Sequence, residues 1–177
     1  MKTPTDKLST NVFGMLVAVV GFAAVAIYAT IAFSAHDVYW FLTGFDERPT
    51  RMVVYRAGQR IELQAGQTGF DDLAKAARSS LTQGVSRPSG IGLSEGSLQD
   101  AYDLYITLEV FFDRPVKLHA WFNTGSPTQM LFPITGRHSD LNIVFLGVEG
   151  TYMSSAPVLN TTEPIRKALQ AAGFSIN

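Results

Sequence analysis

The chain of 177 residues contains no cysteine. This absence excludes disulfides, thiolate metal ligands, iron–sulfur clusters and cysteine nucleophiles, so the fold must depend on its hydrophobic core. Histidine is also scarce, with three in the whole chain. His36 and His119 lack the partner spacing of a zinc motif, and the acidic neighbourhood of His138 is equally typical of a simple turn. We therefore expect neither a metal nor another cofactor.

An excess of charge of one sign is absent as well. The 14 basic and 15 acidic residues give a formal net charge of −1 and are scattered along the sequence. Proteins that bind nucleic acid present a basic stripe that neutralises phosphates. Nucleic acid is therefore not an expected partner. Phosphate loops, dinucleotide fingerprints, haem-attachment motifs and calcium loops are missing too.

The chain does have one long apolar run, and no charged residue lies between Leu8 and Ala35. About 23 such residues form a helix of about 34 Å, which exceeds the ~30 Å hydrocarbon core of a bilayer. We predict a transmembrane helix at 11–35. The main alternative is a cleaved signal peptide with Thr30 and Ala32 as its cleavage pair, although the run is longer than that role requires. A buried core helix does not fit, because the run is apolar on all sides.

The residues that flank this helix predict its orientation. Lys2 and Lys7 precede it, whereas acidic and basic residues balance one another after it. Because positive residues stay inside, residues 1–10 are predicted to form a cytoplasmic tail and the rest of the chain to lie outside. Residues 36–50 then form an interfacial linker. Its aromatic residues, which favour the headgroup layer, are Tyr39, Trp40, Phe41 and Phe45.

Three small residues of the predicted helix, Gly14, Ala18 and Gly21, follow one another at i, i+4 and i+7. They form one stripe, and such a stripe allows a second helix to approach closely. Glycine and alanine are common in membrane helices in any case, so the stripe is also compatible with no contact. The functional interpretation is association with a membrane protein partner or with a second copy.

Residues 51–177 combine alternating and helical patterns, which predict one extracytoplasmic α+β domain. We expect an antiparallel sheet of about six strands with one face buried under two helices. The first two strands, at Arg51–Tyr55 and Arg60–Gln64, are predicted to form a tight hairpin in which Val54 faces Ile61. The first helix follows a hydroxyl N-cap and ends at a glycine, and the second does the same at the C-terminus. The predicted caps are Thr68 and either Thr161 or Thr162, and the predicted stops are Gly84 and Gly173.

Two more hairpins are predicted, 106–112 with 116–122 and 130–134 with 141–146. The register of the first one places Glu109 opposite His119 on the solvent face. Nothing else converges on these two residues, so we interpret them as a surface pair rather than a catalytic couple. Tyr105, Phe111 and Trp121 share that face, and large exposed rings often mark a contact surface. Alternatively, a helix or a loop covers them.

Residues 84–103 are rich in glycine, serine and proline, which predicts a surface loop with at most one short turn, after Ser97. Within them, the residues from Gly92 to Gly96 match the GxSxG nucleophile elbow of serine hydrolases around Ser94. That motif works where a strand turns sharply into a helix, and no strand is predicted before it. A flexible loop therefore explains the match, and a hydrolase that uses Ser94 is the third of our functional hypotheses.

The first hypothesis is a non-catalytic membrane-anchored protein that supports or binds a larger membrane assembly. The layout resembles, in architecture alone, that of accessory subunits of respiratory or photosynthetic complexes. The second hypothesis is a free-standing extracytoplasmic ligand-binding or sensory domain. It requires a pocket among Tyr105, Trp121 and the long loop.

Overall fold

The computed structural model describes residues 12–176 of the chain. The predicted cytoplasmic tail and Asn11, at the predicted start of the membrane helix, lie outside these residues. The first element, α1 (Val12–Ala35), is a helix of 24 residues. It is long and apolar enough to cross a membrane, and 0% of its most apolar 18-residue window is buried against the rest of the chain. Its buried residues, Ala32 and Ala35, lie in the last turn.

The remaining elements form an α+β domain. Its strands are β1 (Arg51–Arg56), β2 (Gln59–Gln64), β3 (Val85–Pro88), β4 (Ile106–Phe111), β5 (Gln129–Pro133), β6 (Phe145–Val148), β7 (Thr151–Tyr152) and β8 (Pro157–Leu159). Its helices are α2 (Phe70–Thr82), α3 (Glu95–Asp103) and α4 (Glu163–Ala171), with a 3₁₀ turn at Ser139–Leu141. Six strands form one antiparallel sheet in the order β2-β1-β4-β5-β6-β7, and β3 pairs with β8. The predicted fold class is confirmed.

The main core lies on the face of the sheet that α2 and α4 cover. Ile106, Leu108 and Val110 of β4 alternate towards this face and join one buried cluster with Leu73 of α2 and Leu169 of α4. Burying one such leucine stabilises the fold by roughly 1.5–3 kcal/mol. The cluster therefore holds together elements that are far apart in the sequence.

The predicted hairpin of β1 and β2 is confirmed, with Val54 opposite Ile61. Its two turn residues, Ala57 and Gly58, both have positive φ angles, of 46° and 78°. Positive φ at both positions is the type I′ geometry, whose twist matches that of the flanking strands. The turn thus fixes the register that the apolar pattern requires.

The two predicted helices of the domain are present as α2 and α4, and one predicted N-cap, that of α2, is wrong. Gly69, with a φ of 85°, is the N-cap of α2 in place of Thr68. The predicted stop is confirmed, because Gly84 adopts a φ of 83° and donates its N–H to Leu81. Thr162 is the N-cap of α4, and Gly173 follows its last turn with a φ of 91°.

The predicted hairpin of 106–112 with 116–122 is wrong. β4 pairs with β1 on one side and with β5 on the other, so it has no free edge for a third strand. Val116, Leu118 and Ala120 are nevertheless buried. Their alternation arises because an extended segment packs on the core, and alternation alone does not identify a hydrogen-bonding partner. The other pair is present, since β5 pairs with β6, although β6 begins only at Phe145.

The predicted surface loop at 84–103 is also wrong, because it contains β3 and α3. The helix places Leu98, Ala101 and Tyr102 at i, i+3 and i+4, which is the spacing of one helical face. Leu98 and Tyr102 pack with Leu131 and Phe145 in a second, smaller hydrophobic cluster. The sheet is therefore covered on part of its second face as well, and the domain has three layers.

Phe45 was predicted to lie in the interfacial belt, but the structure places it in the core. Its ring is 4% exposed and packs edge-on against Phe112, with 5.8 Å between the centroids. Tyr39 and Phe41, by contrast, are 57% and 54% exposed. The linker thus ends inside the domain, because its last aromatic side chain fills the hydrophobic core.

We expect Phe45→Ala to lower the free energy of unfolding of the domain by about 3–5 kcal/mol, since it leaves a cavity in the core. Phe41→Ala removes a ring of the same size from an exposed position and should have little effect. Denaturant unfolding of the full chain in detergent, followed by tryptophan fluorescence, measures both. Equal effects would contradict the core position of Phe45.

Candidate functional site

The junction between α1 and the domain is the first candidate site. At the end of α1, His36 adopts a left-handed φ of 53°, and the N–H of Asp37 returns to the carbonyl of Ala32 at 3.0 Å. This is a Schellman motif, which satisfies the last carbonyls of a helix and reverses the chain. Histidine tolerates the left-handed conformation better than most residues do. The chain therefore leaves α1 through a defined turn rather than as an extended tether.

After the turn, the linker folds back along α1. The hydroxyl of Tyr28 donates to the carbonyl of Val38 at 2.8 Å, and its ring lies 6.2 Å from that of Phe41. Tyr28 lies seven positions before Ala35, which is about 10 Å along a helix axis. Residues 36–41, which we call the elbow, consequently pack beside the last two turns of α1.

One polar contact joins the elbow to the domain. The carboxylate of Asp37 lies 2.7 Å from Nδ1 of His119 and accepts the N–H of Tyr39 at 2.9 Å. The Asp37 side chain is 6% exposed and that of His119 is 27% exposed. A shielded contact of this kind is stronger than a surface pair, because little water competes for either partner. It fixes how α1 sits on the domain.

An open depression of about 720 Å³ lies at this junction, and we call it the junction notch. Its lining is mixed in chemistry. The apolar residues Ala32, Phe33 and Val38 come from α1 and the elbow. Lys117 and His119 come from the extended segment that follows β4, and Ser126 lies beside them in the lining. The remaining lining residues are His36, Asp37 and Tyr39.

A second polar cluster lies on the far face of the sheet, around Glu109 of β4. This residue is 3% exposed, so its predicted position as a surface partner of His119 is wrong. Its carboxylate accepts hydrogen bonds from the hydroxyls of Tyr55 at 3.0 Å and Tyr102 at 3.3 Å, and from Tyr152 as well. A buried charge requires such partners, because its desolvation would otherwise be prohibitive. The three tyrosines therefore make a buried carboxylate tolerable.

The same burial acts on the tyrosines. Desolvation first, and the nearby Glu109 charge second, raise the pKa of Tyr55, Tyr102 and Tyr152 above its ordinary value of about 10. The three hydroxyls therefore remain protonated donors throughout the neutral range. This arrangement suits a structural support of the sheet, since no hydroxyl is activated as a nucleophile.

Ser94 has a structural role in the fold. It is the N-cap of α3, and its Oγ accepts the N–H of Ser97 at 3.2 Å and donates to the Ser97 hydroxyl at 3.0 Å. The nearest preceding strand, β3, ends at Pro88. No hydrogen bond joins Ser94 to a histidine in the part of the chain that the structure describes. The GxSxG match is thus explained by helix capping.

The structure does not bring the three predicted contact aromatics onto one surface. Tyr105 and Phe111 are both half-buried and flank opposite ends of β4, and the guanidinium of Arg51 stacks on Phe111 at 3.6 Å. Trp121 is 50% exposed and donates its indole N–H to Ser86 at 3.1 Å. The cavity beside Tyr105 has a volume of only about 10 Å³ and is not lined by Trp121. A shared pocket of these rings therefore does not form.

The small residues Gly14, Ala18 and Gly21 lie on α1, all at exposed positions. A Cβ at Gly21 would have no atom within 4 Å to contact. No group of three metal-ligating His, Asp or Glu side chains occurs among residues 12–176.

Comparisons with known proteins give no further guide to this site. No protein-family model, no curated protein and no solved structure matches the chain. Any functional conclusion must therefore come from the geometry itself.

Sequence reasoning missed the partners of Asp37 and Glu109, the two residues around which these sites are built. Asp37 stands in the linker beside an exposed histidine, and its partner lies 82 residues away. Glu109 belongs to an alternating run, and its tyrosines come from β1, α3 and β7. The buried polar position in a strand was a usable signal, but only the folded sheet identifies its partners.

We expect stability to fall at alkaline pH because of the tyrosine cluster. Each folded-state pKa is raised, so the stabilisation is fully present below about pH 10 and is lost as the pH rises further, since the unfolded chain releases these protons first. Urea unfolding at increasing pH, with tyrosinate absorbance recorded in parallel, measures this. Tyr152→Phe should make the decline shallower. Complete ionisation of all six tyrosines before unfolding would contradict the cluster.

We expect Asp37→Asn and His119→Gln each to destabilise the junction by about 1–3 kcal/mol, since each breaks a shielded, charge-assisted contact. Limited proteolysis at residues 36–50 should become faster in both variants. The double variant should be less affected than the sum of the two. Glu47→Gln, which breaks the exposed pair with Arg114, serves as the control and should cost less than about 1 kcal/mol. Additive effects of the first two substitutions would argue against a direct contact.

Proposed function

We infer that this chain is a non-catalytic, single-pass membrane protein whose extracytoplasmic domain serves a larger membrane protein assembly, as an accessory or structural subunit or as a binding partner. The observation that carries this proposal is an unburied apolar helix joined to a folded domain through a fixed elbow. Such a joint holds a domain at one angle to the bilayer. A fixed angle is what docking beside a membrane neighbour requires, because it removes orientational freedom before binding.

Two other kinds of helix share the length and composition of α1. A core helix of a soluble protein is mostly buried, but 0% of the apolar window of α1 is buried. A signal peptide is removed from the mature protein, whereas the end of α1 takes part in the fold: Ala35 is 0% exposed and Tyr28 bonds to the elbow. Both observations favour a permanent anchor.

The orientation rests on charge. Lys2 and Lys7 precede α1, and the positive-inside rule therefore places the N-terminus in the cytoplasm and residues 51–177 on the extracytoplasmic side. The helix surface supports the lateral contact. Gly14, Ala18 and Gly21 lie on one stripe, where a partner helix can approach closely enough for backbone contacts.

We expect the double substitution Gly14→Leu and Gly21→Leu to abolish co-purification of a stoichiometric membrane partner in mild detergent, because the added side chains separate the two helices. Ala23→Leu, on the opposite side of α1, is the matched control and should leave the partner bound. Tagged full-length chain, purified from native membranes, provides the measurement.

Alkaline carbonate extraction of the same membranes tests the anchor itself. The chain and all variants should remain in the pellet, because α1 is dissolved in the hydrocarbon core. Release by carbonate would overturn the membrane proposal. If the chain stays in the pellet but no partner co-purifies, the proposed contact through the stripe is overturned. The same holds if the partner co-purifies with the double variant as well as with Ala23→Leu.

A further inference from the structure

We propose that the junction notch binds the phosphate-bearing headgroup of a phospholipid, with Lys117 as its charged ligand and the end of α1 as the wall along which the acyl chains descend. This inference rests on the proposed membrane anchor and adds a ligand to it. The notch offers both polar and apolar contacts, as that ligand requires. Its lining combines Lys117, His119 and Ser126 with an apolar wall of Ala32, Phe33 and Val38, and it also includes His36, Asp37 and Tyr39.

The depth of the notch agrees with that of a headgroup. The 24 residues of α1 extend about 36 Å, which exceeds the hydrocarbon core of about 30 Å. The last turns of α1 and the elbow therefore reach the headgroup layer of the outer leaflet. Phe33, which is 85% exposed, and the elbow residues Val38, Tyr39 and Phe41, each more than half exposed, then contact lipid rather than water.

The ammonium of Lys117 has N–H donors available for a ligand. Its half-buried ammonium donates to the carbonyl of Gly125 at 3.2 Å, and an ammonium carries three N–H bonds. That contact also holds the ammonium in place, so less side-chain entropy remains to be lost on binding. A phosphate oxygen is an acceptor with which a lysine ammonium forms a charge-assisted hydrogen bond.

The neighbouring carboxylate does not repel such a ligand strongly. Asp37 is 6% exposed at its side chain and is occupied by His119 and by the N–H of Tyr39. Asp37 also lines the notch, but both of its carboxylate oxygens are already engaged, one by His119 and the other by the N–H of Tyr39. Within residues 12–176, the hydroxyls of Ser126 and Tyr39 have no hydrogen-bond partner, and they supply neutral donors beside Lys117.

The test uses the full chain, delipidated in detergent and then titrated with phosphatidylglycerol, with bound lipid counted by native mass spectrometry. We expect one lipid per chain, and an affinity about tenfold lower in Lys117→Gln, because a charge-assisted hydrogen bond is lost. Lys117→Arg should restore binding. Lys167→Gln is the matched control, because Lys167 pairs with Glu163 on the exposed side of α4.

Lipid affinities are compared only among variants whose circular dichroism spectrum equals that of the unsubstituted chain. Lipid binding that survives Lys117→Gln unchanged overturns the site. Displacement of the lipid by an equal concentration of inorganic phosphate also overturns it, because the apolar wall would then contribute nothing. A chain that resists carbonate extraction but binds no lipid refutes this inference alone, whereas a chain released by carbonate refutes the membrane anchor as well.

Discussion

The contact between Asp37 and His119 joins two parts of the chain that differ in how they bury apolar residues. One part is a helix whose most apolar window is 0% buried, and the other is a domain with a buried hydrophobic core. The Schellman turn at His36 sets the direction in which the chain leaves α1. The contact of Asp37 with His119 then attaches the chain to the domain. The shielded carboxylate of Asp37 ties the elbow to the domain, while Tyr28 ties the same elbow to α1, and the junction notch lies where these parts meet. The proposed angle of the domain to the bilayer and the proposed lipid site both depend on this joint.

The domain places its polar groups according to what covers each face of the sheet. The face under α2 and α4 is filled by aliphatic and aromatic side chains. The other face is only partly covered by α3, and there β4 buries Glu109 among three hydroxyls. A charge so placed gives directional contacts that an apolar residue does not, and these tie β1, α3 and β7 to the central strand. The cluster thus specifies how the second layer sits on the sheet.

Local signals predicted those elements whose partners are close in sequence. The β1–β2 hairpin has a positive-φ turn and an unambiguous apolar pairing, and α2 and α4 carry their own glycine stops. Prediction failed where the partner was distant. Apolar and polar residues alternate in the run at 116–122, but the segment packs on the core without a strand partner. The helix α3 was not predicted, because its 9 residues lie in a segment rich in glycine and serine.

By itself, the sequence determined the division of the chain into an apolar helix and an α+β domain, because hydrophobicity and periodicity are properties of neighbouring residues. It also excluded disulfide and thiolate chemistry through the absence of cysteine. Only the tertiary structure decided that Phe45 belongs to the core, that Glu109 is buried, and that Asp37 meets His119 across 82 positions. Such pairings depend on which surfaces the folded chain brings together, and a linear pattern carries no record of them.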